Sequence, residues 1–249
     1  MNNTRRGDMN AQSLWLLIKR IYRKLNLGLL LSLLLFVSPA IAGYVPPRNQ
    51  KPPSDYTKSG GARGCPEERI PLTILAPTTH VGHTVSKHPT FAWFLYSPRG
   101  TELRFFEFDS NNRPKQIGNP IQLQASKGIN KYSLPENQPE LTTGKKYIWQ
   151  VSISCPDGDL VQRTEFMVVE MPSVLKSKIP ATVNGSQKAN LYAEQGLWYD
   201  ALGEALKLAP KSKLGEVGST LVQSLAQFEK QGETQQRIEN LQAIANETK

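Results

Sequence analysis

The sequence has few of the residue types and motifs on which enzyme sites are usually built. Its 249 residues include only two cysteines and three histidines. It contains no Cys-x-x-Cys pair, no Gly-x-Ser-x-Gly nucleophile elbow, no P-loop and no Gly-x-Gly-x-x-Gly dinucleotide pattern. Paired carboxylates of the glycosidase kind come together only in a fold, so the sequence leaves them open. We expect a protein that is not an enzyme and binds no cofactor.

The three histidines, His80, His83 and His88, fall in one segment, and the first two have the His-x-x-His spacing of a metal site. A zinc site normally needs three or four protein ligands, and residues 76–100 contain no Asp, Glu or Cys to complete one. We therefore predict a solvated loop and no metal. The two carboxylates of 157–159 fall short of the six to eight oxygens that calcium takes, so we predict a tight turn there.

The sequence also lacks an apolar run long enough for a membrane-spanning helix, which needs about 20 residues. Its longest run, residues 25–37, follows a basic N-terminal stretch and ends at Ala40-x-Ala42. This is the pattern of a secretory signal peptide over 1–42, cleaved before Gly43, and a retained signal-anchor is the alternative. We expect a periplasmic or secreted protein that meets the membrane only through this segment before cleavage.

The net charge of +9 is unevenly distributed. Removing residues 1–42 leaves 24 basic and 20 acidic side chains, and much of that surplus lies in 43–64, a stretch rich in proline and glycine. We interpret 43–64 as a solvated linker and do not expect nucleic-acid binding.

A β domain is predicted over 65–171, because short strand-like runs alternate there with turn residues. The runs are 71–76, 89–96, 102–109, 114–123, 129–134, 145–155 and 160–169. Seven short strands favour an all-β antiparallel sandwich of the fibronectin type III or Ig-like kind. The runs 102–109 and 160–169 break the period of two, which indicates a bulge or a strand buried on both faces.

The run 145–155 is the clearest strand, since Tyr147, Trp149 and the following odd positions are apolar or semi-apolar. The preceding Leu141-x-x-Gly144-x-x-Tyr147 resembles the tyrosine corner of fibronectin type III domains, in which the hydroxyl bonds to backbone upstream. We assign structural roles to Tyr147, Trp149, Gly144 and Trp93.

Helical spacing replaces the strand pattern after a connector at 172–185. Residues 186–249 are predicted to form a helical hairpin unit that docks on the rest of the chain, with Trp198 as its anchor. A unit this small buries too little surface to fold comfortably alone. Trp198, Tyr199 and Tyr96 are candidate interaction residues, and the alternative for each is a place in the core.

Cys65 and Cys155 are predicted to form a disulfide. Export places them in an oxidising compartment, and alternating strands bring the start of the first and the end of the sixth to one pole. The chain-entropy model gives such a bridge roughly 4 to 5 kcal/mol of unfolded-state restriction.

Several segments together resemble the cyanobacterial family known as domain of unknown function 928. They are Leu72-Thr-Ile-Leu-Ala-Pro77, Pro89-Thr-Phe-Ala-Trp93, Tyr132-Ser-Leu-Pro135, Gly144-Lys-x-Tyr147-x-Trp149 and Tyr192-Ala-Glu-Gln-Gly-Leu-Trp-Tyr-Asp-Ala-Leu202. The resemblance covers residues 63 to 230 and implies an exported β-rich domain with a helical tail, with no catalytic residues to carry over. We expect an envelope protein-interaction or structural module that recognises another envelope protein. The alternative is a module that binds peptidoglycan or exopolysaccharide.

Overall fold

A computed structural model of the protein describes residues 43–48, 50–57, 68–179 and 183–249. The predicted signal peptide and residues 58–67, with Cys65, lie outside the described residues. The strands are β1 (Thr73–Ile74), β2 (Gly82–Thr84), β3 (Thr90–Leu95), β4 (Arg99–Phe108), β5 (Pro114–Ala125), β6 (Gly128–Ser133), β7 (Lys146–Cys155) and β8 (Gly158–Val168). The helices are α1 (Ser173–Lys178), α2 (Gly185–Glu194), α3 (Trp198–Leu208), α4 (Gly215–Glu229) and α5 (Gln235–Glu247).

The strands form two sheets, with orders β1-β3-β6 and β2-β8-β7-β4-β5. Each of the seven predicted runs encloses or overlaps a strand, and β2 is an additional one. It pairs with β8 in parallel, so the expectation of purely antiparallel pairing is wrong at this edge. Its three residues, Gly-His-Thr, carry no apolar alternation that could have announced a strand.

The two irregular runs have different explanations. In β4 the register with β5 shifts between Leu103 and Phe105, which is a bulge or a similar irregularity. In β8 the register with β7 is regular, yet the consecutive residues Thr164, Glu165 and Phe166 are all buried. That strand is therefore covered on both faces.

Aromatic side chains join the two sheets. The ring of Phe91 in β3 lies 5.0 Å from that of Phe105 in β4 and 5.1 Å from those of Trp149 in β7 and Phe166 in β8, between centroids. Trp93 and Trp149 are fully buried. The sheets thus contribute to one apolar core, in which tightly packed rings supply much of the buried area.

The predicted tyrosine corner is present. The backbone N–H of Thr142 donates a hydrogen bond of 2.9 Å to the hydroxyl of Tyr147. Gly144 has a φ of +84°, a left-handed conformation that glycine adopts without strain, and its N–H donates to the carbonyl of Val168 at 2.7 Å. The corner therefore links the start of β7 to the end of β8.

The helices pack on the sheets within one compact unit, Ile41–Lys249. Trp198, at the start of α3, is fully buried and donates from Nε1 to the carbonyl of Leu75 at 2.9 Å. The indole N–H of Trp149 similarly donates to the hydroxyl of Tyr199 at 3.1 Å. The helical segment is docked, as predicted, through contacts at which apolar burial and hydrogen bonding coincide.

A buried ion pair ties the last two helices to the segment after β1. Glu229 of α4 accepts from the backbone N–H groups of Thr78 at 2.5 Å and Thr79 at 3.2 Å, and its other oxygen lies 3.2 Å from Arg237 of α5. Arg237 also donates to the carbonyl of Ala76 at 2.8 Å. Removing one member of such a buried pair is costly, because the other charge loses its compensation.

The helical region differs from expectation at the connector 172–185, which contains the short helix α1 after Pro172. The last helix, α5, packs on the rest of the chain through Ile238, Leu241 and Ile244 on its buried face. Within the described part of the chain, no helix is long and apolar enough to cross a membrane.

The solvated-linker prediction is wrong at two points of residues 43–48 and 50–57, which we call the strap. Tyr44 is buried, its hydroxyl lies 2.8 Å from Nε2 of His80, and its ring meets that of Trp198 edge-on at 4.9 Å. Further along, the N–H of Ser54 donates to the fully buried carboxylate of Glu165 at 2.8 Å. One aromatic anchor and one buried hydrogen-bonded carboxylate hold a segment that has no periodic apolar pattern.

Candidate functional site

A groove of about 330 Å³ opens where the loop between β2 and β3 faces α2 and α3. It collects titratable side chains from three separate segments of the chain. These are His88 from the loop, Lys188 and Tyr192 from α2, and Asp200, Glu204 and Lys207 from α3. Clefts in which charged groups with shifted pKa values converge are the usual candidates for binding or catalysis.

Asp200 lies in the first turn of α3, and its side chain reaches the loop. Oδ2 accepts from the N–H of Val85 at 3.0 Å, with further hydrogen bonds from the Thr84 side chain and the Ser86 backbone. Burial raises the pKa of Asp200 to about 6, and these hydrogen bonds oppose that rise. The carboxyl group therefore titrates close to neutral pH.

Glu204 follows four residues later on the same face of α3. Its Oε1 lies 2.8 Å from Nζ of Lys207 and 3.1 Å from Nζ of Lys188. Burial alone would raise the pKa of Glu204, but hydrogen bonds from Lys207 and Lys188 outweigh it and the pKa is lowered. The two carboxyls of the groove thus have pKa values displaced in opposite directions.

Tyr192 and His88 complete the groove. Burial, aided by the negative charges of Asp200 and Glu204, raises the pKa of Tyr192 to about 12, so its hydroxyl stays protonated. Nδ1 of His88 is buried and has no hydrogen-bond partner among the residues described. A buried nitrogen of this kind can accept a hydrogen bond from, or donate one to, an incoming polar group.

The groove is organised for recognition by charge and hydrogen bonds. Both carboxylates are fixed by the protein's own donors, so they would not need to reorganise when a ligand arrives. The lysines balance the carboxylates, which favours a neutral or mixed-charge polar group over a bare ion. The apolar wall comes from Tyr192 and the edge of Tyr199.

The predicted interaction aromatics occupy different environments. Trp198 and Tyr199 are 0% and 1% exposed, so their assignment as surface interaction residues is wrong and the core alternative holds. Both face the sheets, because the sequence places the apolar stripe of α3 there. Tyr96 is half-buried, and both the guanidinium of Arg69 and the ammonium of Lys127 contact its ring.

The solvated-loop prediction for the histidines is also wrong. His80 is 1% exposed, and burial, with the nearby charge of His83, lowers its pKa to about 4. His83 lies in β2, and His88 borders the groove. Among the residues described, no group of three His, Cys, Asp or Glu side chains is placed to hold a metal ion.

Cys155 ends β7 and is half-buried. Because its predicted partner Cys65 lies outside the described residues, the disulfide stays a prediction.

Sequence reasoning missed every charged residue of the groove. The spacing of Asp200 and Glu204 places them on one helix face, which was a visible signal. Nothing in the sequence, however, indicated that a loop more than 100 residues earlier would cover that face.

The sequence matches the model of a family described as Domain of Unknown Function (DUF928) over residues 58–237. This match spans most of the chain and includes all eight strands and four of the five helices. The protein belongs to the DUF928 family. No curated protein matches the sequence.

Proposed function

We propose that the chain is an exported, non-enzymatic interaction module of the cell envelope, periplasmic or secreted, and that it recognises another protein through the groove. One observation carries the proposal. Nδ1 of His88, which is buried and has no hydrogen-bond partner in the part of the chain that the structure describes, borders the same groove as two carboxylates that the chain's own donors already hold. A partner side chain with a hydroxyl or amide group would satisfy the imidazole and add to a prearranged hydrogen-bond network.

We also propose a sandwich type for the two sheets and a cellular compartment for the protein. The two sheets would form a sandwich of the fibronectin type III kind, a reading supported by the ring contacts of Phe91 and by the Tyr147 corner. A disulfide between Cys65 and Cys155 and removal of residues 1–42 would suit an oxidising envelope compartment of a cyanobacterium.

We do not assign catalysis to the groove. Two carboxyls with pKa values pushed apart are also the pattern of an acid/base pair. In this groove, however, Asp200 is engaged by the 84–86 loop and Glu204 by two ammonium groups. These contacts give both carboxyls a structural partner, so we assign them to recognition.

The test is affinity capture from an envelope extract, with immobilised residues 41–249 as bait. His88→Ala and Lys207→Glu are the groove variants, and Lys115→Glu, exposed on β5, is the control with the same charge change. We expect one defined envelope protein to be retained by the wild type and the control, and about tenfold less by each groove variant.

Two results would contradict the proposal. Equal retention by all four baits would remove the groove from the interaction. Co-sedimentation with purified sacculi, with no protein retained, would favour the glycan-binding alternative.

A further inference from the structure

Two basic side chains contact Tyr96, and two more lie on the turn before α4, whose backbone meets the start of β6. We call this surface the Tyr96 edge and define it as Arg69, Tyr96, Lys127, Lys211 and Lys213. All four basic residues are exposed, and Tyr96 is half-buried. The edge shares no lining residue with the groove.

Two cations contact the aromatic ring. The guanidinium carbon of Arg69 lies 5.5 Å, and Nζ of Lys127 5.1 Å, from the centroid of Tyr96. Cation–π contacts of this length restrict long side chains that otherwise move freely in solvent. The edge therefore combines an aromatic ring with two positive charges close to it.

The backbone brings the other two lysines to the same place. The carbonyl of Ser212 accepts from the N–H of Ile129 at 3.0 Å, and a Cβ on Gly128 would stand 2.5 Å from that carbonyl oxygen. Only glycine permits this approach, which brings Lys127 beside Lys211 and Lys213. Ser212 itself has a φ of +59°, an unusual conformation for a residue other than glycine, asparagine or aspartate.

Two acids border the edge. Glu247 pairs with Arg69, and its pKa is lowered chiefly by the hydrogen bond from that arginine, with a smaller contribution from the charge of Lys127. Glu68, next to Arg69 in the chain, accepts from the hydroxyl of Ser97 and pairs with Arg99. The three lysines of the edge are exposed, and Lys213 also donates to the carbonyl of Lys249 at 3.3 Å.

We infer that the Tyr96 edge binds an acidic polysaccharide, whose carboxylate or sulfate groups pair with Lys127, Lys211 and Lys213 while a sugar ring lies against Tyr96. Sugars combine apolar C–H faces with polar groups, so an aromatic ring flanked by cations matches an anionic sugar at both. A lipid surface fits less well, because membrane-binding faces also bring apolar side chains to insert, whereas the ring of Tyr96 is half-buried. The inference does not depend on the groove.

The experiment measures binding of residues 41–249 to alginate, a polyuronate, with uncharged dextran as the reference polymer. The test variant replaces Lys127, Lys211 and Lys213 by Gln. The control variant replaces Lys115, Lys176 and Lys178 by Gln. These lysines are exposed elsewhere on the domain, and the control has the same net charge as the test variant. A third variant, Tyr96→Leu, removes the ring and keeps the charges.

We expect the wild type and the control variant to bind alginate and not dextran. Raising the salt fourfold should weaken that binding by about twentyfold, if each of three contacts releases counterions as on a single-stranded polyanion. The test variant should bind at least tenfold more weakly, and Tyr96→Leu severalfold more weakly.

The inference fails if dextran binds equally well, or if the control variant loses as much affinity as the test variant, because general charge would then explain the result. It also fails if vesicles with one anionic lipid in four, or a single-stranded oligonucleotide, bind through these lysines while alginate does not. A groove variant such as His88→Ala should leave alginate binding unchanged, which separates failure here from failure of the proposed function.

Discussion

Replacing Trp198 by alanine should destabilise the whole domain. The side chain is 0% exposed, and a buried tryptophan removes about 150 to 250 Å² of surface from water, equivalent to about 4 to 6 kcal/mol. Core Trp→Ala substitutions typically cost about 3 to 5 kcal/mol. Loss of the indole N–H also leaves the Leu75 carbonyl without its 2.9 Å donor, at about 1 to 3 kcal/mol. We expect a loss of about 4 to 6 kcal/mol in the free energy of unfolding.

Urea titration of residues 41–249, followed by two probes, measures this loss. Far-ultraviolet circular dichroism reports the helices. In Trp198→Ala, fluorescence of the buried Trp93 and Trp149 reports the sheets, whereas in the wild type Trp198 contributes as well. With a slope of about 2 to 3 kcal/mol per molar, the midpoint should fall by roughly 2 M, at the same urea concentration for both probes. Leu208→Ala, which trims a side chain that is 55% exposed, is the control and should cost less than about 1 kcal/mol. A loss below about 1 kcal/mol in Trp198→Ala, or helices that melt before the sheets, would refute the shared core.

The remaining predictions concern buried polar groups. The folded pKa of His80 is about 4, against 6.5 for free histidine, so the unfolded chain binds more protons between these two pH values. The free energy of unfolding of the wild type should therefore rise with pH in that range, by at most about 3 kcal/mol. His80→Asn should lack this rise in urea titrations at several pH values. Asp200 has the opposite sign, since its folded pKa of about 6 exceeds the 3.8 of a free aspartate. The stability that Asp200 contributes should therefore decline as the pH rises from 3.8 to about 6, and Asp200→Asn should lack that decline. A difference curve of the same sign as that of His80→Asn would contradict this. Ser54→Ala removes a hydroxyl that donates to Glu165 and should cost about 1 to 2 kcal/mol; an unchanged midpoint would mean that the strap is not held there.

The strands were predictable from the sequence because alternation of apolar and polar residues is a local property. Each of the seven runs encloses or overlaps a strand of the structure, and the Leu141–Tyr147 motif anticipated a specific hydrogen bond. The strand Gly82–Thr84 was missed because three residues without large apolar side chains have no period to detect.

The strap, the groove and the Tyr96 edge were beyond prediction because each depends on pairing between distant residues. Ser54 and Glu165 are 111 residues apart, so composition alone made the strap look like a solvated linker. The net charge of the sequence also gave no indication of the Tyr96 edge. The cations of the edge are scattered along the chain, and only the close contact of Gly128 with Ser212 brings three of them together.

In-cell photo-crosslinking shows whether the protein recognises an envelope protein through the groove. A photoreactive amino acid at position 207, where the lysine side chain is 65% exposed at the groove, is compared with one at 115 on β5. We predict one discrete protein adduct at 207 that His88→Ala abolishes, and none at 115. Adducts of equal intensity at both positions, or no adduct at 207 in cells that export the protein normally, would contradict it.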